Sequence, residues 1–211
     1  MLTPTDQALL EKIRQRLASG QLPGPAAQAL KSPPLRGTPT PPEDARKASV
    51  LALLYPIEEI LHLLFIQRTS PKRDRHAGQI SFPGGAAEAN DSSPAITALR
   101  ETEEEVGIPR RQIQLLGALS QLYIPVSNFL VDPFVGFTAE RPTFQLQESE
   151  VARTLELPFA DFLQQNARQV GNRLLSSGYT LPETPYWGIK GEEIWGATSM
   201  MVAELVALVR E

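Results

Sequence analysis

At 211 residues, 42% hydrophobic and 21% charged, the chain carries enough apolar material for one core, which points to a single domain with accessories. A net charge of −4 and a pI near 5.4 argue against nucleic-acid binding, which needs a broad basic surface to displace phosphate counterions. The absence of cysteine excludes disulfides, zinc–thiolate sites and a cysteine nucleophile, and the two isolated histidines exclude a histidine metal cluster, so oxygen ligands remain.

The start, MLTPTDQALL, has neither a basic nor an apolar leader region. No apolar run approaches the ~20 residues that cross a bilayer. The expectation is a cytoplasmic protein without a membrane partner. From about Thr5 to Ser19, Leu9, Leu10, Ile13 and Leu17 recur at helical spacing among charges, predicting a short amphipathic helix. Residues 20–44 hold Pro23, Pro25, Pro33, Pro34, Pro39, Pro41 and Pro42, which favour an extended arm over a packed layer. This arm is read as wrapping the core or a second subunit of a homodimer. The division expected is therefore 1–47, helix and Pro-rich arm, and 48–211, the folded domain.

That domain opens with SVLALLYPI and LHLLFIQR, two strands joined through Glu58-Glu59 as a hairpin. A loop through 70–81 and a turn at FPGG lead to a helix over roughly 93–106, ended by Gly107. QLLGALSQLYI and NFLVDPFVGFTA read as neighbouring strands separated by Pro125-Val126-Ser127. PFADFLQQNAR, near 158–168, predicts a short helix, and SMMVAELVALVRE a closing one. The sum is an α/β fold: a mixed sheet between helices, an α/β/α sandwich, without internal repeats.

The helix over 93–106 carries the most informative pattern. With roughly 100° per residue, Glu101, Glu104 and Glu105 fall within one arc and Glu103 points away, while Ala95, Ala98, Leu99, Thr102 and Val106 form a neighbouring stripe to bury. Gathering like charges costs free energy unless a cation lies between them, and a hard divalent ion, magnesium first, suits oxygen ligands. Arg100 lies one turn before Glu104 and can orient a ligating carboxylate. Charge is also segregated along the chain: residues 68–78 sum to +3 and residues 88–105 to −5. A basic lobe beside an acidic lobe suits a polyanionic substrate, and Gly78, Gly84 and Gly85 allow close backbone approach to phosphate or metal. A lone EEE run more often marks a solvated helix face. Trp187, Trp195 and His62 read first as packing residues.

These residues resemble the Nudix hydrolases and, within them, the coenzyme A pyrophosphatase group. The signature spans Gly85 to Ile108, with Arg100-Glu101-Thr102-Glu103-Glu104-Glu105-Val106-Gly107-Ile108 matching its second half. RTSPKRDRHAGQISFPGG (68–85), Thr97-Ala98-Leu99 and IWGATSM (194–200) resemble the subgroup. Asp91 stands where the family's first box glutamate usually stands, and eight residues rather than seven separate it from Arg100. The loop between Arg68 and His76 is one residue longer than the subgroup's, so Arg73 or Arg75 takes the place of the usual arginine.

The resemblance implies a Nudix-type sandwich holding Mg2+ or Mn2+ on Glu101, Glu104, Glu105 and the Gly85 carbonyl. Arg68, Lys72, Arg73, Arg75, His76 and Gly78 would meet substrate phosphates. The general base is one of the box glutamates or a carboxylate from a later loop, where Glu150 matches a Glu-Val position of the subgroup. The reaction implied is hydrolysis of the diphosphate of coenzyme A or its thioesters. Rivals are hydrolysis of another nucleoside diphosphate derivative (NADH, ADP-ribose or a nucleoside triphosphate) and a non-catalytic nucleotide-binding module.

Overall fold

The chain begins with α1 (Pro4–Ser19), capped by the Thr3 hydroxyl accepting from the Asp6 N–H and closed by Gly20 in the left-handed region, followed by the short α2 (Gly24–Ala29). β1 (Arg46–Ile57), β2 (Ile60–Arg68), β3 (Ile80–Ser81) and β4 (Gly84–Ala86) lead into α3 (Pro94–Val106). Then come β5 (Gln114–Ala118), β6 (Leu122–Ile124), β7 (Phe129–Phe137) and β8 (Val151–Pro158). A hairpin of β9 (Arg168–Leu174) and β10 (Thr180–Ile189), then β11 (Glu192–Trp195), precede α4 (Gly196–Arg210). The computed structural model describes residues 2–34, 36–37, 39–69, 78–175 and 178–210.

Among these residues eight strands form one mixed sheet, with spine β3-β2-β1-β7-β5 and with β4, β6 and β8 paired to β1, β7 and β2. β1 and β7 run parallel and the other pairs antiparallel. The period-two alternation of β1 sorts its side chains to two faces. Leu51, Leu53 and Tyr55 pack with Ala98, Leu99 and Val106 of α3. Ala52 and Leu54 pack into a second core with Leu10, Ile13 and Leu17 of α1 and Val202, Leu205 and Val206 of α4. Helices thus cover both faces, as the α/β/α reading expects. Burying each large aliphatic side chain stabilises the fold by about 1.5–3 kcal/mol.

The hairpin at Glu58-Glu59 forms as expected, both residues taking positive φ as a tight two-residue turn demands. α3 starts after Ser93, whose hydroxyl caps Ile96, with Pro94 in the first turn, and ends at Gly107 with φ of 74°. His62 and Trp187 are packing residues, both buried.

Two expectations need correction, and one sheet went unforeseen. The arm is not extended throughout: α2 interrupts it, because Pro25 suits a first helical turn and Ala26, Ala27 and Ala29 favour helix. It lies on this chain's own core. Glu204 of α4, fully buried, accepts from Gly24 N–H, Gln28 Nε2 and Ser120 N–H, and Arg36 donates to the Tyr123 carbonyl. The helix near 158–168 is instead two 3-10 turns, Phe159–Leu163 and Gln165–Ala167, which point Phe159 and Phe162 into the core without a full α turn. The three-stranded sheet β11-β10-β9 was not anticipated: β9 is largely exposed, and β10, which buries Thr184, Trp187 and Ile189, lacks a clean apolar alternation.

Candidate active site

The site is assembled where β2, β4, α3 and the start of β8 meet. β4 pairs with β1 so tightly that a Cβ on Gly84 would lie 2.3 Å from the Ser49 carbonyl oxygen; Gly84 also holds φ of 151°. Its N–H donates to Glu105 Oε2 at 2.8 Å. A Cβ on Gly85 would lie 2.5 Å from Glu101 Cδ, so the missing side chain is the space the Glu101 carboxylate occupies. The glycine pair and the acidic helix are fitted to each other.

Arg100 is the cationic centre. Nε and Nη2 donate to the two oxygens of Asp91, Nη1 to Glu101 Oε1 and Glu104 Oε2, and Nη2 also to the Ala86 carbonyl, all at 2.9–3.0 Å. Asp91 further accepts from the Thr97 hydroxyl and the Glu88 N–H, each at 2.9 Å. The Arg100 hydrogen bonds, with the Glu88 N–H, hold the Asp91 carboxyl well below the usual carboxylate range, and Asp91 in turn holds the guanidinium charged. Asp91 therefore fixes the arginine that orients Glu101 and Glu104. Glu103 points away, as its helical angle predicts, and pairs with Arg110.

Glu105 lies deepest, its side chain 2% exposed, with Arg68 Nη1 3.6 Å from Oε1. Burial pushes its carboxyl up to about 8, against the Gly84 N–H and Arg68, and the charges of Glu101 and Glu150 push the same way as burial. Burial also raises Glu101; Arg100 opposes this, and Glu104 and Glu150 add to it. Glu150 thus shares one electrostatic neighbourhood with two box glutamates. The β2–β8 pairing brings it there: Arg68 lies opposite Val151, and the Thr69 N–H donates to the Glu150 carbonyl.

Among the described residues no three acidic or histidine side chains close into a ready ligand cage, because Glu101 and Glu104 turn toward Arg100 and Glu105 toward Gly84. The donor set nevertheless fits a hard divalent cation. Glu101 and Glu105 set their carboxylates against the Gly84–Gly85 turn, where burial raises the pKa of both, Glu104 lies one turn on at Arg100, and the charge of Glu150 reaches Glu101 and Glu105.

Of the remaining expected residues, Arg68 sits at Glu105 and Gly78 joins the loop end, its carbonyl accepting from Gln67 Nε2 at 3.2 Å. Lys72, Arg73, Arg75 and His76 lie outside the described residues. IWGATSM closes the core: the Trp187 indole donates to the Ser199 carbonyl and the Ser199 hydroxyl to that of Gly196. Sequence reasoning missed the grip of Thr97 on Asp91, although Thr97 lies three positions before Arg100 and so on its face of the helix.

The NUDIX domain model matches residues 45–175. An uncharacterized Nudix hydrolase NudL of Pectobacterium atrosepticum is 33% identical over 181 residues, 81% of this chain and 86% of that protein. The NudL of Yersinia enterocolitica is 36% identical over 154 residues, 69% and 73% of the two chains. An Ap4A hydrolase of C. elegans, solved as a binary complex, matches 55% of this chain and 83% of its own at 18% identity and a TM-score of 0.47. The chain belongs to the Nudix hydrolase family, whose members act on nucleoside diphosphate derivatives.

Proposed function

We propose that this protein is a metal-dependent pyrophosphatase that hydrolyses coenzyme A or its thioesters to 4′-phosphopantetheine, or its acylated form, and adenosine 3′,5′-bisphosphate. The observation that carries this reading is the acidic group at the Gly84–Gly85 turn, the buried Glu105 and half-buried Glu101 with the exposed Glu150 within electrostatic reach of both, and Arg68 beside Glu105. Glu101, Glu104, Glu105 and the Gly85 carbonyl would hold Mg2+ or Mn2+. Such an ion, when bound, supplies Lewis-acid polarisation of phosphoryl oxygens and a lowered pKa for water.

The chain's own residues do the rest. Arg100, held by Asp91, fixes the orientation of Glu101 and Glu104. Glu150 takes the proton as a water oxygen attacks phosphorus and the bridging P–O bond breaks, leaving the second phosphate as the departing group. Arg68, with Arg73 or Arg75 and His76, pairs with substrate phosphates, the 3′-phosphate of coenzyme A included. The +3 charge of residues 68–78 supports coenzyme A over substrates with fewer phosphates. The second reading, a Nudix hydrolase of NADH, ADP-ribose or a nucleoside triphosphate, shares the same acidic group.

Incubation with coenzyme A, dephospho-coenzyme A, ADP-ribose, NADH and dGTP, with and without magnesium, and product identification by mass tests the reading. The expected result is fastest turnover of coenzyme A and a clear drop on dephospho-coenzyme A. Equal rates on those two would show that the loop does not read the 3′-phosphate, and no turnover of any would revive the binding-module alternative.

A further inference from the structure

On the far side of the main sheet from α3, the end of α2, strands β9 and β10 and helix α4 enclose a pocket of about 360 Å3. Its walls are apolar, Leu30 and Val170 among them, with the buried Trp187 beneath. Among the described residues three cations line it, Lys31, Arg168 and Arg210, and no acidic residue does. Lys31, only 3% exposed, donates to the Tyr186 carbonyl at 2.7 Å with its ammonium 4.3 Å from the Trp187 ring centroid. Arg168 approaches the same ring at 5.7 Å, and Arg210 donates to the Leu163 carbonyl.

Carbonyls and an indole face solvate a cation but do not neutralise it. Three like charges around an apolar cavity raise each other's free energy, which an opposite charge would relieve. The electrostatics agree: burial lowers Lys31 and Arg210, and Arg168 lowers both further. The volume falls in the range of small-ligand pockets, roughly 300–1,000 Å3. The arrangement differs from an ordinary solvated charge face because Lys31 is buried and its neighbours are apolar.

We infer that this pocket binds a small organic anion, a carboxylate or phosphate head held by Lys31, Arg168 and Arg210 with an apolar or planar body against Leu30, Val170 and Trp187. It lies apart from the acidic site and needs none of its residues.

Calorimetric titration with phenyl phosphate and with benzoate tests this and distinguishes the two head groups; inorganic phosphate and phenol each carry one half of the recognition. At least one of the two aryl anions should bind, more tightly than either half alone, and shift the Trp187 indole N–H resonance. Arg168 and Arg210 are exposed, so the R168Q/R210Q double variant keeps the fold and should bind at least tenfold more weakly. E105Q, altered only in the acidic site, should bind like wild type. No binding at millimolar concentration, equal binding by the double variant, binding by inorganic phosphate or phenol as tight as by the aryl anions, or loss of binding in E105Q would each overturn the inference.

Discussion

Asp91 accepts hydrogen bonds from both Nε and Nη2 of Arg100, each at 3.0 Å. The pair spans the extra residue that sets this box apart from the usual family spacing: a shorter acid reaches from one position further back along the loop. Asp91→Ala leaves Arg100 without its bidentate partner, so Glu101 and Glu104 lose a fixed orientation. Hydrolytic rate should fall ~10–100-fold, since groups that orient metal ligands typically cost that much. Asp91→Asn, which keeps the shape, should fall between that variant and wild type. Steady-state rates and thermal melts check both.

Gly85→Ala separates site from fold. The new methyl would collide with the Glu101 carboxylate, the far end of a flexible side chain, rather than with backbone. The protein should fold with a near-normal melting temperature but lose activity, because Glu101 is pushed from the glycine turn. Unchanged rates would show that the Glu101 position seen here does not matter.

Much of this was legible beforehand. The 3.6-residue period placed Glu101, Glu104 and Glu105 on one edge of α3 and sent Glu103 outward to Arg110, because a capped helix with an apolar stripe has little freedom in its phase. The β1–β2 hairpin and the closing helix were readable for the same reason. What could not be read is non-local. Glu150 was named from the resemblance, but the pairing of β8 with β2 that brings it toward Glu105 depends on tertiary contact across more than eighty residues, as does the seating of Gln28 on Glu204. Strands β9 and β10 escaped because neither alternates apolar and polar residues regularly, and the arm's prolines masked α2.

Glu204→Ala should release the arm. Three donors, Gly24 N–H, Gln28 Nε2 and Ser120 N–H, would lose their acceptor in a buried place, a loss of about 3 kcal/mol in global stability. Chemical denaturation measures it, and amide exchange should show residues 24–32 opening first.

Lys31 gives a pH signature. Its folded pKa, lowered to about 8 chiefly by burial and further by Arg168, lies below the ordinary 10.5. Between these values the unfolded chain binds more protons than the folded one, so this residue's contribution improves as pH rises and its penalty is full below about 8. Relative to Lys31→Met, wild-type stability should therefore rise between pH 8 and 10.5. The gain should be roughly 1–2 kcal/mol, less than 1.36 kcal/mol per unit would give, because solvent reaches the cavity. A flat difference across that window would contradict the burial of the charge.

The most direct test of the acidic group is the rate of coenzyme A hydrolysis by wild type and Glu105→Gln, each with magnesium and with chelator. We predict release of adenosine 3′,5′-bisphosphate by wild type only with the metal, and a loss of about a thousandfold or more in the variant with its fold intact. A variant within tenfold of wild type, or undiminished turnover in chelator, would contradict the assignment of Glu105 as a metal ligand.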